Sequence, residues 1–141
     1  MENYSKPPIG RYLSGISKSL LHALQNRLIH LDIDRNFYAL MLIEEGQGKI
    51  TQQELSDLLE SDKVSVVRII DYLSNKGYVE RVKEPTDRRK HGLALTEKAK
   101  IELPEIKQAM EDVIQAAFSG LTAKNITELY NTLSVIKKNL I

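Results

Sequence analysis

The stretch from Thr51 to Gly77 constrains the fold more than any other part of this 141-residue chain. Thr51-Gln52-Gln53-Glu54 puts a hydroxyl at an N-cap position and a carboxylate three residues on, the pattern of a capping box. Leu55, Leu58 and Leu59 give the following helix one apolar side. Ser61-Asp62 breaks that helix and supplies a second cap. The next helix carries Val64, Val67, Ile70 and Leu73 as its apolar side and stops at Gly77. Two short helices joined by a turn of about three or four residues are a helix-turn-helix.

The flanking segments extend this unit. Pro7-Pro8 opens a helix carrying Ile9, Leu13, Ile16, Leu20, Leu24, Leu28 and Leu31 at three- and four-residue steps, about 22 residues and ~33 Å long. Asp34 is the expected N-cap of a second helix with Phe37, Leu40, Met41 and Ile43, ending at Gly46-Gln47-Gly48. After Gly77, residues 78–84 are rich in β-formers, Pro85-Thr86-Asp87 signals a turn, and Leu93-Ala94-Leu95 forms a short second strand. The result is a hairpin with a long basic tip. Thr96 caps a helix striped by Ala99, Leu103, Ile106, Met110, Val113 and Ala117, in which Pro104 predicts a kink or a short break. Thr122 caps the last helix, striped by Ile126, Leu129, Leu133, Ile136 and Leu140.

The expected fold class is mainly α with a small two-stranded β wing. A winged helix-turn-helix over residues 34–98 is flanked by an N-terminal dimerisation helix, 1–33, and C-terminal dimerisation helices, 99–141, within one compact protomer. A lone helix ~33 Å long cannot bury its stripe on so small a module, so a two-fold homodimer is expected.

Charge locates the working surface. The net charge is only +1, but residues 62–100 hold 10 Lys/Arg against 6 Asp/Glu, residues 1–61 hold 6 against 8, and residues 101–141 hold 4 against 5. A basic centre in a neutral scaffold is the footprint of a polyanion-binding module. The second helix of the motif would lie in the major groove of double-stranded DNA, with Lys63 and Ser65 reaching phosphates or base edges and Arg68 a guanine. The wing would bring Arg88, Arg89 and Lys90 to the adjacent minor groove, where negative potential favours arginine. Asp87, two residues from Arg89, is placed to orient its guanidinium.

Three pieces together resemble the MarR/SlyA family of bacterial transcription regulators: the helix pair TQQELSDLLESDKVSVVRIIDYLSNKGYVER, the wing DRRKHGLALTEKA, and the terminal helices flanking both. The likeness covers essentially the whole chain, and the wing pattern Asp-x-Arg followed by Leu-Thr is its specific part. It implies a homodimer that binds pseudo-palindromic operator DNA, often under control of a small anionic or phenolic effector. It assigns Arg89 as the minor-groove arginine, Asp87 as its support, and Ser65 and Arg68 as recognition-helix contacts. Ala99 stands where the family often carries glycine, a change that favours helix.

Other functions find little support. Without cysteine there is no disulfide, thiol switch or thiolate metal site. His22, His30 and His91 lack metal-ligand spacing, and no cofactor is implied. No phosphate loop or nucleophile motif suggests an enzyme. No apolar run is long enough for a membrane, and a cytoplasmic location is expected. Tyr12, His22, His30, Phe37, Tyr38 and Tyr72 are candidates for an effector pocket between the dimer helices and the DNA-binding lobe. The competing reading keeps the fold but turns the helix-turn-helix face toward a protein partner.

Overall fold

The computed structural model describes residues 6–84 and 87–141, and over residue 84 and residues 87–90 it describes backbone only. Six helices and one hairpin follow the expected order: α1 (Ile9–Arg27), α2 (Phe37–Glu45), α3 (Gln52–Leu59), α4 (Lys63–Asn75), β1 (Val79–Glu84), β2 (Asp87–Leu95), α5 (Glu97–Ala117) and α6 (Ala123–Asn139). Local hydrogen bonds start four of the helices. The hydroxyls of Thr51, Thr96 and Thr122 and the carboxylate of Asp62 each accept the backbone N–H three residues ahead. At Thr122 the cap is reciprocal, because Asn125 Oδ1 accepts the Thr122 N–H at 3.0 Å.

The core lies where α2, α3, α4 and α5 close around the hairpin. Phe37, Leu40 and Ile43 of α2, Leu55 of α3, Val66, Ile70 and Leu73 of α4, and Leu103 and Ile106 of α5 are all buried. Tyr78, Val79, Leu93 and Leu95 enter from the hairpin, and Leu24, Leu28 and Ile33 from α1 and the segment after it.

The face of α4 corrects the sequence reading. Its core residues are Val66, Ile70 and Leu73, whereas Val64 is 63 % and Val67 36 % exposed. The expected set Val64, Val67, Ile70 and Leu73 advances in steps of three. Each such step falls about 60° short of a full turn, so four residues sweep half the helix and cannot share one face. A four-then-three rhythm keeps Val66, Ile70 and Leu73 together.

Other elements depart in smaller ways. Asp34 is not the cap of α2; it adopts φ 50° in the preceding turn, and Asn36 takes the cap position. Leu31 lies beyond the end of α1. Leu58 does not share the buried side of α3 and is 59 % exposed. Helix α5 continues unbroken through Pro104, which sits on its exposed side, where water can reach the carbonyl the proline leaves unpaired.

The two strands pair antiparallel from Val79↔Leu95 to Lys83↔His91, and the register then shifts to Glu84↔Asp87. The expected long basic tip is therefore largely strand: residues 87–90 form the first part of β2. The hairpin is fastened to the helix-turn-helix at its base. Thr51 pairs with Gly92, and the Leu93 N–H donates to the Ile50 carbonyl at 2.8 Å. A Cβ at position 92 would fall 2.0 Å from the Gly48 carbonyl oxygen, so only glycine allows this approach.

The terminal helices behave differently from the core. Helix α1 packs on α5, but Leu24 is its only buried residue, and Ile9, Tyr12, Leu13 and Ile16 are exposed. Helix α6 buries none of its residues.

Two substitutions test this frame. Thr96→Ala removes the cap of α5 and a hydroxyl that donates to the Gly77 carbonyl at 2.5 Å. It should cost about 1–2 kcal/mol in urea unfolding at fixed protein concentration. Gly92→Ala should cost about 1–3 kcal/mol in the same assay, because the Gly48–Lys49 backbone must move aside.

Candidate nucleic-acid interface

At about 100° per residue, the face of α4 opposite Val66, Ile70 and Leu73 carries Val64, Arg68 and Asp71, with Val67 at its edge, and Lys63 is exposed in the first turn. All five are exposed. Burial of the inner face therefore fixes what the helix presents outward.

The N-terminus of α4 is held by Asp62. Its carboxylate accepts the Ser65 N–H at 2.8 Å and the Ser65 hydroxyl at 2.7 Å. These bonds, the backbone one first, hold Asp62 below the ordinary carboxylate value of 3.8. The Ser65 proton is thus engaged, and the oxygen retains only acceptor capacity toward a ligand. Arg81 of β1 meets Asp71 of α4 at 3.0 Å, joining the wing to the helix. Asp71 and Asp62 are the two acids that could otherwise have neutralised Arg68. Neither Arg68 nor Lys63 forms an ion pair among the described residues.

The wing contributes its backbone direction. Residues 87–90 continue β2 away from the core, beside the N-terminal half of the hairpin. The side chains of Asp87, Arg88, Arg89 and Lys90 lie outside the described residues, as does the expected Asp87–Arg89 contact.

Behind α4 is a junction that the sequence did not signal. The Lys76 ammonium donates to Asp32 at 2.6 Å, and this hydrogen bond with the accompanying charge holds Lys76 above its ordinary value. The Tyr72 hydroxyl points at the Asp32 carbonyl, 3.4 Å away; partial burial first, and then the Asp32 charge, raise its pKa. Tyr78 is buried and donates to Glu102 of α5, and Lys98 stands 4.4 Å over its ring. Burial first, and the Glu102 contact second, push the Tyr78 hydroxyl well above the usual tyrosine range. His30 contacts Glu105 at 2.5 Å. These contacts tie the C-terminal end of α4 to the α1–α2 connection, and both to α5.

The six expected pocket residues are not gathered into one site. Phe37 is core, at 1 % exposure. Tyr72 and His30 belong to the junction just described. Tyr38 borders a small crevice with Leu20, Leu24 and Met110, and His22 lies in an open depression with Lys18 and Arg35. Tyr12 alone lines the main cleft, about 860 Å³ between α1 and α5, together with Arg11, Ile16, Leu20, Arg27 and Val113. Among the described residues no three acidic or histidine side chains gather into a metal-binding set. None of the described helices is long and apolar enough to cross a membrane.

The model of the MarR family matches residues 34–90, the helix-turn-helix and the start of β2. The multiple antibiotic resistance protein MarR of Salmonella typhimurium is 28 % identical over 130 residues, which is 92 % of this chain and 90 % of that protein. The crystal structure of the transcriptional regulator SlyA shares the fold, with a TM-score of 0.88 at 24 % identity, over 95 % of this chain and 94 % of that one. The structure of a mutant MarR from E. coli complexed with operator DNA superposes with a TM-score of 0.82 at 29 % identity, over 92 % of this chain and 93 % of that one.

The cap of α4 makes a pH prediction. The folded pKa of Asp62 is depressed, so its contribution to stability is full above the ordinary value of 3.8 and is lost as pH falls through the lowered one. Asp62→Asn keeps a capping oxygen but cannot titrate. Urea unfolding should show the wild type's stability relative to Asp62→Asn declining between about pH 5 and pH 2. A constant difference across that range would remove the carboxylate from the cap's energetics.

Proposed function

Because the chain belongs to the MarR family of winged helix-turn-helix transcription regulators, we propose that it is a homodimeric, sequence-specific regulator that binds a pseudo-palindromic operator. The observation that carries the DNA half is the exposed surface of α4, where Arg68 on the outward face and Lys63 in the first turn stand without acidic partners among the described residues. In this reading Arg68 reads a base edge in the major groove, and Lys63 and Ser65 contact DNA at the helix N-terminus. Arg89, oriented by Asp87 and flanked by Arg88 and Lys90, enters the neighbouring minor groove.

The dimer half is supported by uncovered apolar surface at both chain ends. The cleft between α1 and α5 is lined from Pro7 to Arg27, a span of ~30 Å. That is the shape of a groove for a helix. Helix α6 offers the match: Leu129 and Leu140 are exposed, and Ile126, Leu133 and Ile136 are only half-buried. Residues 1–33 and 99–141 would then form the dimer core, carrying two 34–98 lobes. Their recognition helices would lie about 34 Å apart, one turn of DNA.

The regulatory half is repression, or anti-repression, relieved by a small anionic or phenolic ligand. Arg11 and Tyr12 put a cation and a phenol at the N-terminal end of the α1–α5 cleft, beside the apolar length given to α6, whereas Arg27 is already paired with Asp112 at 3.5 Å. The junction through Asp32, Lys76 and Glu102 connects the helices of that cleft to α4. A ligand that changes the spacing of the recognition helices must lower DNA affinity, and DNA must lower ligand affinity by the same factor.

Titration against a pool of random duplexes at several salt concentrations tests the proposal. Binding should enrich a palindrome and weaken steeply with salt. Arg68→Ala should lose about 1–3 kcal/mol of discrimination between enriched and random DNA. Arg89→Ala should weaken binding and reduce the salt slope by about one. Salt-insensitive, weak binding unchanged by either substitution would favour a protein-interaction module. Sedimentation equilibrium should show a dimer that Leu133→Glu dissociates, because the substitution puts a charge at the centre of the α6 stripe.

A further inference from the structure

Two features of α4 are left over once its charges are assigned. Val64, at 63 % exposure, lies on the outward face with Arg68 and Asp71, and Val67, at 36 %, lies at its edge. They are separated by one helical turn, so their methyl groups form a continuous apolar strip rather than scattered contacts. The core does not require them, because Val66, Ile70 and Leu73 already fill the inner face at 0 % exposure. The helix does not favour them either: β-branched residues lose rotamer freedom in a helix. The strip is bordered by the cations Lys63 and Arg68, and the one acid on the face, Asp71, is engaged by Arg81.

We propose that Val64 and Val67 are specificity residues that read thymine through its 5-methyl group in the major groove, beside the base edge addressed by Arg68. This rests on the reading of the protein as a DNA-binding regulator. The major groove presents one apolar feature, the thymine methyl, and small aliphatic side chains are its complement. Cytosine offers only a C–H at that position. Two valines on one strip therefore select thymine at adjacent positions without a hydrogen bond. The position of the strip near the N-terminus of α4 is where a recognition helix comes closest to base edges. A protein surface would also accept an apolar strip, and that occupant is an outcome of the test below.

The experiment uses the enriched operator with deoxyuridine replacing thymine one position at a time. The exchange removes the methyl group and keeps the pairing. For the full-length wild-type protein, one or two positions in each half-site should lose affinity about fourfold per methyl. Val64→Ala and Val67→Ala should bind the unmodified operator more weakly, and each should abolish the penalty at its own position. That non-additivity assigns the contact. Both substitutions are on the surface and raise helix propensity, so the fold is retained. Arg89→Ala provides the reference: it should weaken binding to the thymine and deoxyuridine operators alike.

If the wild type binds its operator with normal salt dependence but ignores every deoxyuridine exchange, the thymine contact is wrong and the regulator reading stands. If both valine variants keep the full deoxyuridine penalty, the methyl groups are sensed through DNA shape or by another residue, and the assignment fails. If no duplex in the pool is bound, both readings fall together, and the strip is a docking face for protein.

Discussion

The orientation of α4 about its own axis is the constraint on which the rest depends. Val66, Ile70 and Leu73 set it by entering the core with Phe37, Leu55 and Tyr78. Burying an aliphatic side chain of this size is worth about 1.5–3 kcal/mol, whereas an exposed pair such as Asp71–Arg81 is worth at most about 1. Packing therefore decides the azimuth, and the surface charges follow it. Rotate the helix by one residue, about 100°, and Val64, Val67 and Arg68 would turn together away from the outward face. The Asp62 cap determines where the helix begins, and the Gly92–Gly48 approach determines how closely the wing lies against the α2–α3 connection.

The molecule is unevenly satisfied. The lobe around α4 has an apolar core, and its one buried side-chain polar atom without a partner among the described residues is the Ser56 hydroxyl. The terminal helices are the reverse. A 17-residue helix with no buried residue, such as α6, is marginal in water on its own. Its apolar residues and the apolar lining of the α1–α5 cleft are both left uncovered within the single chain. The dimer reading and the persistence of α6 are thus one physical question. The Lys137–Glu60 ion pair, 2.8 Å, is the direct tie between α6 and the end of α3. Being exposed, it adds little stability of its own.

Between these regions lies the polar junction of Asp32, Tyr72, Lys76, Tyr78 and Glu102. It joins segments more than twenty residues apart and links the base of α4 to α5. It is thus a side-chain link between the terminal helices and the lobe that carries α4. The His30–Glu105 contact extends the same seam toward the end of α1.

The sequence by itself determined the element order and the helix starts. Thr51, Asp62, Thr96 and Thr122 all cap as their spacing indicates, because a cap is a hydrogen bond within three residues and needs nothing distant. It also determined most of the apolar stripe of α5, where Ala99, Leu103, Ile106 and Val113 are buried, although Ala109 joins them and Ala117 is exposed. Three features were decided only by the tertiary structure. The inner face of α4 was misread because three valines crowd its first turns, and only the core shows that Val66, and not Val64 or Val67, joins Ile70 and Leu73. Asp34 is a plausible cap in isolation, yet the chain turns through it in a left-handed conformation to bring Asp32 to Lys76. The need for glycine at 92 and the joining of Tyr78 to Glu102 arise from contacts across the fold, and no local spacing encodes them. Periodicity and caps are properties of neighbouring residues and can be read along the chain; which face is inside, and which charges meet, belong to the packing.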